Sequence, residues 1–415
     1  MAAMSAFGFL DFGDMLMPNG AFSREEELSM RLCGESQCTG CSACANVCPI
    51  QCITMCEGSG GFLFPVIAAD RCVNCRKCES VCPSLSPMER HESRKAFLSA
   101  LLDNEVGERS SSGGIAYALG KKFLAGEGVV FGAAYGDGLR VSHRCVESED
   151  GLSALQGSKY VQSAIGKSYE QTIRFLAQKR KVLFFGTPCQ IAGLISTVPE
   201  ELHELLYTCE ILCKGVPSPT LFAKYVAFLK NKHKCAIVDL NFRSKKYGYS
   251  YGYLSEIHFA NGESKVLGKK DASFVRTVGA GYVRPSCSSC RYKDRKRTAD
   301  VSIGDFAKYA SKYECGVSSV LVNTEKGAEL LESISDSTLL EPVSVEEIVS
   351  SQNGAFVVNN SRPDDYDQFQ RDAEKNDWNV VYKQYLKPVS LKAKLTEAVP
   401  PSIWAQIRKL KKISR

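Results

Sequence analysis

The sequence has no uninterrupted apolar run long enough to cross a membrane, which argues against a transmembrane helix. Its first twenty residues lack a basic start and carry Asp11 and Asp14, so they do not read as a secretory signal. No basic stripe with interleaved aromatics occurs, and a net charge of +6 is too small to argue for nucleic acid. There is no P-loop, and no G-x-G-x-x-G follows a strand; a dinucleotide, if bound, is held without the Rossmann fingerprint. The five histidines stand in no metal-like or catalytic pairing and read as ordinary surface or core residues. At 44% hydrophobic and 24% charged the composition is that of a globular protein, and 415 residues allow two or three domains.

Cysteine, by contrast, is abundant, and its spacing organises the chain. Cys38-x-x-Cys41-x-x-Cys44-x-x-x-Cys48-Pro49 is followed by Cys72-x-x-Cys75-x-x-Cys78-x-x-x-Cys82-Pro83. Two C-x2-C-x2-C-x3-C-P runs are the pattern of a bacterial two-cluster ferredoxin, in which the fourth cysteine of each run serves the other cluster. One 4Fe–4S cluster is therefore expected on Cys38, Cys41, Cys44 and Cys82, and a second on Cys72, Cys75, Cys78 and Cys48. A zinc site needs only four ligands, and eight cysteines in two matched runs with both prolines exceed that pattern. Thiolates in metal-binding spacing call for a reducing compartment, so a cytoplasmic protein is expected. Between the runs, Ile53–Met55 and Phe62–Ile67 read as short strands about the Gly58–Gly61 turn. Cys33, Cys52 and Cys56 fall outside the motif and read as small buried hydrophobes.

Ser23 with Glu26 forms a capping box for a short helix through Leu32. Ser86–Lys95 reads as a linker. From Ala96 the texture changes to apolar strands alternating with periodic helices. Ala96–Leu102, Val129–Ala134, Lys181–Phe185, Leu205–Leu212 and Val317–Val322 are strand candidates, with helices over 113–124 and 221–229. That alternation argues for an α/β core, and tyrosine-rich Asn241–Phe259 for an antiparallel hairpin excursion. The expected organisation is an extension over residues 1–28, a ferredoxin-type unit over 29–86, a core in two parts (96–205 and 206–388) and a basic amphipathic tail over 389–415. At the C-terminus Ile403, Ile407, Leu410 and Ile413 share one helical face among five basic residues. This suits peripheral contact with a membrane or partner, or a solvated helix docked on its own domain.

Eleven cysteines lie outside the two runs, and four of them sit in turns that suit ligands. Cys189 follows a buried strand in Gly186-Thr187-Pro188-Cys189-Gln190; Cys213 ends the next strand; Cys287-x-x-Cys290 follows Pro285. Ligands gather at strand ends on one edge of an α/β sheet, so these four thiols can close a third site. A redox pair, a zinc site or unrelated buried thiols also satisfy the spacing. Ser112, Gly113 and Gly114 open a helix whose N-terminus can take a phosphate, although such serines also cap helices without a ligand. Ser158, Lys159 and Tyr160 add a cation and hydroxyls able to meet a pyrophosphate.

Taken in order, Ser111–Gly114, Gly157–Ser163, Gly186–Gln190, Cys213-x-Gly215-Val216-Pro217-Ser218-Pro219, Cys287-x-x-Cys290-x-Tyr292-Lys293 and Ile303-Gly304-Asp305-Phe306 closely resemble the beta-subunit family of coenzyme F420 hydrogenase and dehydrogenase, with a two-cluster ferredoxin fused in front. The resemblance spans roughly Ala96 to Asn360 and the ferredoxin run. It implies an α+β protein, a small ferredoxin domain followed by an α/β core of that family's type. It also implies FAD on the core and a 4Fe–4S cluster nearby, favouring Cys189, Cys213, Cys287 and Cys290 as its ligands. The flavin-site candidates are then Ser112, Gly113, Gly114, Ser158, Lys159, Tyr160, Gly186, Thr187 and Pro188, with Gln190 and Asp305 carried from the family motif. Ala307-Lys308 stands where many relatives have Trp-Gly. The implied activity is an iron–sulfur flavin oxidoreductase that exchanges electrons with a redox partner protein or a small carrier. An F420-reducing subunit of a hydrogenase or formate dehydrogenase complex, or a non-catalytic electron carrier, is the alternative.

Overall fold

The computed structural model describes residues 32–248, 254–306, 316–357 and 362–387, with a few positions between 399 and 407. The N-terminal extension, the Ala307-Lys308 departure, Cys315 and nearly all of the basic tail lie outside the described residues.

The cysteine-rich module is built on a hairpin of β1 (Ile53–Glu57) and β2 (Leu63–Ile67), paired antiparallel with Met55 opposite Pro65. A turn over Ser59–Gly61 joins them, with Gly60 and Gly61 at positive φ. A Cβ on Gly61 would lie 2.4 Å from Cβ of Thr220, so this turn is pressed against the rest of the protein.

The chain then enters an eight-stranded sheet through β3 (Lys95–Leu101), β4 (Val129–Tyr135), β5 (Val141–Val146), β6 (Val182–Gly186) and β7 (Leu206–Ile211). It leaves for a separate antiparallel sheet, β8 (Ile237–Ser244), β9 (Leu254–Phe259) and β10 (Ser264–Val266), as expected for the hairpin excursion. It returns as β11 (Val301–Asp305), β12 (Ser318–Val322) and β13 (Thr338–Val343). The large sheet runs β13-β3-β12-β11-β7-β6-β4-β5. Its centre, β4-β6-β7-β11, is parallel, and antiparallel pairs close both flanks.

Alternation along the central strands sorts side chains onto two faces. Val130 and Leu183 pack with Ile115 and Leu119 of helix Ile115–Ala125 and with Leu330 of helix Glu325–Glu332. Val129, Phe131, Val182 and Phe184 point the other way, onto Tyr169 of helix Ser168–Ala177 and onto Ile191 and Leu194 of helix Pro188–Thr197. Strands buried on both faces explain the unbroken apolar runs of β4 and β6. A third core lies under the small sheet, where Tyr225 meets Phe274 at 5.1 Å and Trp378 at 5.0 Å. One charged pair is sealed inside: Arg297 donates to Glu210 at 2.6 Å, and Glu210 also accepts from Ser302.

Two features depart from the sequence expectation. The Ser86–Lys95 linker is strapped to the core, because His91 bridges the Arg297 backbone and Arg90 pairs bidentately with Asp294. Cys33 and Cys52 are not inert fillers, as the site shows.

Candidate redox site

The module folds its thiols into two groups. Burial raises the Cys44 thiol, and the charges of Cys41, Cys38 and Cys82 push it further. Cys33 lies close enough to Cys38 and Cys82 to share its thiol proton with either sulfur, the leading cause that lowers each of them to about 6, and Arg284 adds to the effect at Cys38. The second group is more open. The sulfurs of Cys48 and Cys52 lie 3.4 Å apart, Cys72 stands beside Cys52, and Cys78 senses Cys72. Cys75 is exposed. Each expected four-ligand set is thus accompanied by a fifth thiol.

In the core, β6 delivers Cys189 into the first turn of helix Pro188–Thr197. Proline at the first helical position and a Thr187–Gln190 capping box fix that turn. β7, its parallel neighbour, delivers Cys213, and the Pro285–Cys287 turn supplies Cys287 and then Cys290. Burial raises all four thiols, and Cys189 is pushed further by the charges of Cys290, Cys213 and Cys287. Cys213 rises to about 12. Backbone N–H groups already point at these sulfurs, Gly215 N at 3.4 Å from Cys213 Sγ among them. Lys293 is only 5% exposed, its Nζ has no hydrogen-bond partner among the described residues, and its charge favours the thiolates of Cys213, Cys287 and Cys290.

A buried ammonium without an acceptor calls for an anion beside it. Four thiolates on an iron–sulfur cluster meet that demand, so the residues fit such a group. A single zinc ion would need sulfurs about 3.8 Å apart around Zn–S bonds of about 2.3 Å. Among the described residues no three His, Cys, Asp or Glu side chains converge tightly enough for a single ion.

The two thiol regions touch through the module's inner group. Cys41 is buried in the same apolar cluster as Tyr169, Ile191 and Leu194. A Cβ on Gly193 would stand 2.9 Å from Cys41 Sγ, so glycine there admits the module onto the helix that carries Cys189. Tyr169 and Tyr292 each feel the charges of both Cys41 and Cys189, so both lie near the two groups. The sequence reading missed Arg284, which donates to the Cys38 carbonyl at 2.8 Å. It carries no spacing signal.

The flavin candidates divide into two sets. Gly186, Thr187, Pro188 and Gln190 belong to the cysteine-bearing turn. There Gln190 is occupied in the cap and in hydrogen bonds to Ser163, which in turn meets His143. The Ser–Gly turn differs from the expected phosphate cradle. Gly113 N–H is given to Ser318 Oγ at 3.0 Å, and a Cβ on Gly113 would lie 2.2 Å from Ser99 O. Ser112 donates to Val317 O, and Gly114 at φ +85 caps the helix against Leu101. These residues let strands and helix approach closely, the role of a cap. Ser158 N–H is held by Ser111 Oγ. Tyr160 and Asp305 converge on the Arg243 guanidinium.

Beside them opens a cavity of about 820 Å³, lined by Tyr135, Gly157, Lys159 and the β8–β9 residues Asp239, Lys245, Lys246 and Glu256. Lys159 donates to the Ala154 and Gln156 carbonyls, and burial lowers its pKa to about 8. Tyr135 ends β4, so the cavity and the core thiols share the carboxyl edge of the parallel strands. Such edges are where α/β sheets bind ligands.

Residues 37–85 match the model of the 4Fe–4S dicluster domain, which makes the chain an iron–sulfur electron-transfer protein. Residues 179–348 match the family described as the C terminus of the beta subunit of coenzyme F420 hydrogenase/dehydrogenase, so this part of the core is similar to that oxidoreductase family. No curated protein matches the chain. Among solved structures it is similar to a chain of the F420-reducing NiFe hydrogenase complex from Methanosarcina barkeri, studied by xenon derivatization. The identity is 14% and the TM-score 0.45, over 67% of this chain and 91% of that one.

Proposed function

We propose that the chain is a cytoplasmic iron–sulfur flavoprotein oxidoreductase in which ferredoxin clusters exchange electrons with a third, core cluster and with FAD. The ligand sets are Cys38, Cys41, Cys44 and Cys82 for the inner ferredoxin cluster and Cys48, Cys72, Cys75 and Cys78 for the outer one. Cys189, Cys213, Cys287 and Cys290 would hold the third. FAD, when bound, supplies the conversion between single electrons and two-electron hydride chemistry. The cavity between Lys159 and the β8–β9 hairpin is the place for it, with Lys159, Lys245 and Lys246 as counter-charges to its phosphates. The exposed Cys75 side is where a redox partner would meet the outer cluster. No helix among the described residues is long and apolar enough to cross a membrane.

The observation that carries this reading is the buried Lys293 ammonium, without a hydrogen-bond partner among the described residues, beside the thiols of Cys213, Cys287 and Cys290, with Cys41 packed on the helix that bears Cys189. Protein prepared without air is expected to hold about twelve irons, falling by about four in Cys189→Ser or Cys287→Ser. It is also expected to release FAD on denaturation. An iron count of about eight that neither substitution changes removes the core cluster; protein that never takes up FAD is not this flavoenzyme.

A further inference from the structure

Arg284 belongs to none of the ligand sets, yet it reaches two of them. It is 1% exposed and precedes the turn that carries Cys287, with Cys287 N–H bonded to the Arg284 carbonyl at 2.8 Å. Its guanidinium crosses to the module. Nε donates to Cys38 O at 2.8 Å, Nη2 lies 3.5 Å from Cys38 Sγ, and Nη1 donates to Gln162 Oε1 at 3.1 Å. The rings of Phe64 and Phe62 cover it, with centroids 4.2 and 5.6 Å away. None of those polar partners is a carboxylate. Its charge acts on the Cys38 thiol of the inner ferredoxin group and on the Cys287 thiol of the core group.

The outer group is built differently. Its nearby Arg76 is exposed and already paired with Glu79 at 2.7 Å, where solvent and salt screen the charge. On the inner side, Arg291 reaches the Pro83 and Ser84 carbonyls next to Cys82, but it is exposed and solvent screens its charge.

We propose that Arg284 sets the reduction potential of the Cys38–Cys41–Cys44–Cys82 cluster above that of the outer cluster, making the inner one the outlet to the core. Reducing a thiolate-bound cluster adds one negative charge. A buried, unscreened guanidinium against a ligand sulfur favours that state far more than an exposed one does. The exchange is a single electron, one cluster being oxidised as its neighbour is reduced, with no proton or bond involved. The outlet half of the proposal rests on the core cluster proposed above; the potential half rests on the ferredoxin clusters alone.

The test is a redox titration of the full-length holoprotein followed by electron paramagnetic resonance, with Cys82→Ser used to identify the inner cluster's signal. In Arg284→Gln the inner midpoint should fall by about 59 mV, a tenfold change in the one-electron equilibrium, while the outer midpoint stays. Arg284→Lys, which keeps the charge, should stay near wild type. Unchanged midpoints, both clusters moving together, or Lys falling as far as Gln would each overturn the proposal. Should Arg284→Gln shed iron, Phe64→Leu decides: it uncovers the guanidinium to water and should lower the same midpoint by less, and no movement refutes the idea. In a Cys189→Ser background the Arg284→Gln shift should persist, so a misassigned core cluster and a wrong role for Arg284 give different results.

Discussion

His143 shows how far burial alone can move a side chain beside this site. Its Nε2 faces Phe185 O at 2.9 Å and its Nδ1 faces Ser163 Oγ at 3.2 Å, a pairing that a neutral ring satisfies on both sides. Burial lowers its pKa from 6.5 to about 4. The unfolded chain therefore takes up a proton near 6.5 that the native protein refuses until about 4. Stability from this residue is complete above 6.5 and drains away as pH falls toward 4, by about 2 kcal/mol on reaching pH 5. Denaturant titrations of wild type and His143→Gln at pH 7 and 5 should show a shallower loss in the variant; parallel slopes would remove His143 as the cause. At this scale the sequence was clear wherever spacing carried the message, as it did for the cysteines. Arg284 and Cys38 are 246 residues apart in the chain, and only folding brings them together. Cys33 and Cys52 read as fillers because nothing in their spacing reveals that each lies against sulfurs of the two runs.

Among elements of the core, the strands read most directly are those buried on both faces, such as Val182–Gly186 with its unbroken apolar run. β11 went unrecognised because Ser302 and Gly304 interrupt Val301 and Ile303; the buried Ser302 hydroxyl is satisfied by donating to Glu210 and accepting from Asn323. β13 carries Pro342, tolerated at the sheet's edge. The helix Pro188–Thr197 is the joint between module and core, and Gly193 is its saddle. Gly193→Val would force branched bulk into Cys41 and should push the module off without emptying its clusters. Expected are iron close to wild type, a module newly open to protease, and slowed internal electron transfer after rapid reduction. A Gly193→Val protein with wild-type transfer kinetics would show that this contact does not set the distance.

On the scale of the whole molecule, the ferredoxin unit is a fixed part of the body. Asn46 donates to Gly166 O, Gly60 N–H to Glu374, Arg291 to Pro83 O, and Arg90 clasps Asp294. Those contacts bury one end of the unit and leave the other in water: Cys38, Cys41, Cys44 and Cys82 are all buried, whereas Cys75 is exposed. That asymmetry gives the protein an order of decay. Oxygen and chelators meet the outer cluster first, and the inner one is sheltered for as long as the body stays folded. Exposure to air should therefore strip iron in two stages, about four atoms early and the remainder late. The early stage should vanish in Cys75→Ser protein that has already lost the outer cluster, and a single smooth decay would show that the fold does not shelter the inner ferredoxin cluster more than the outer one.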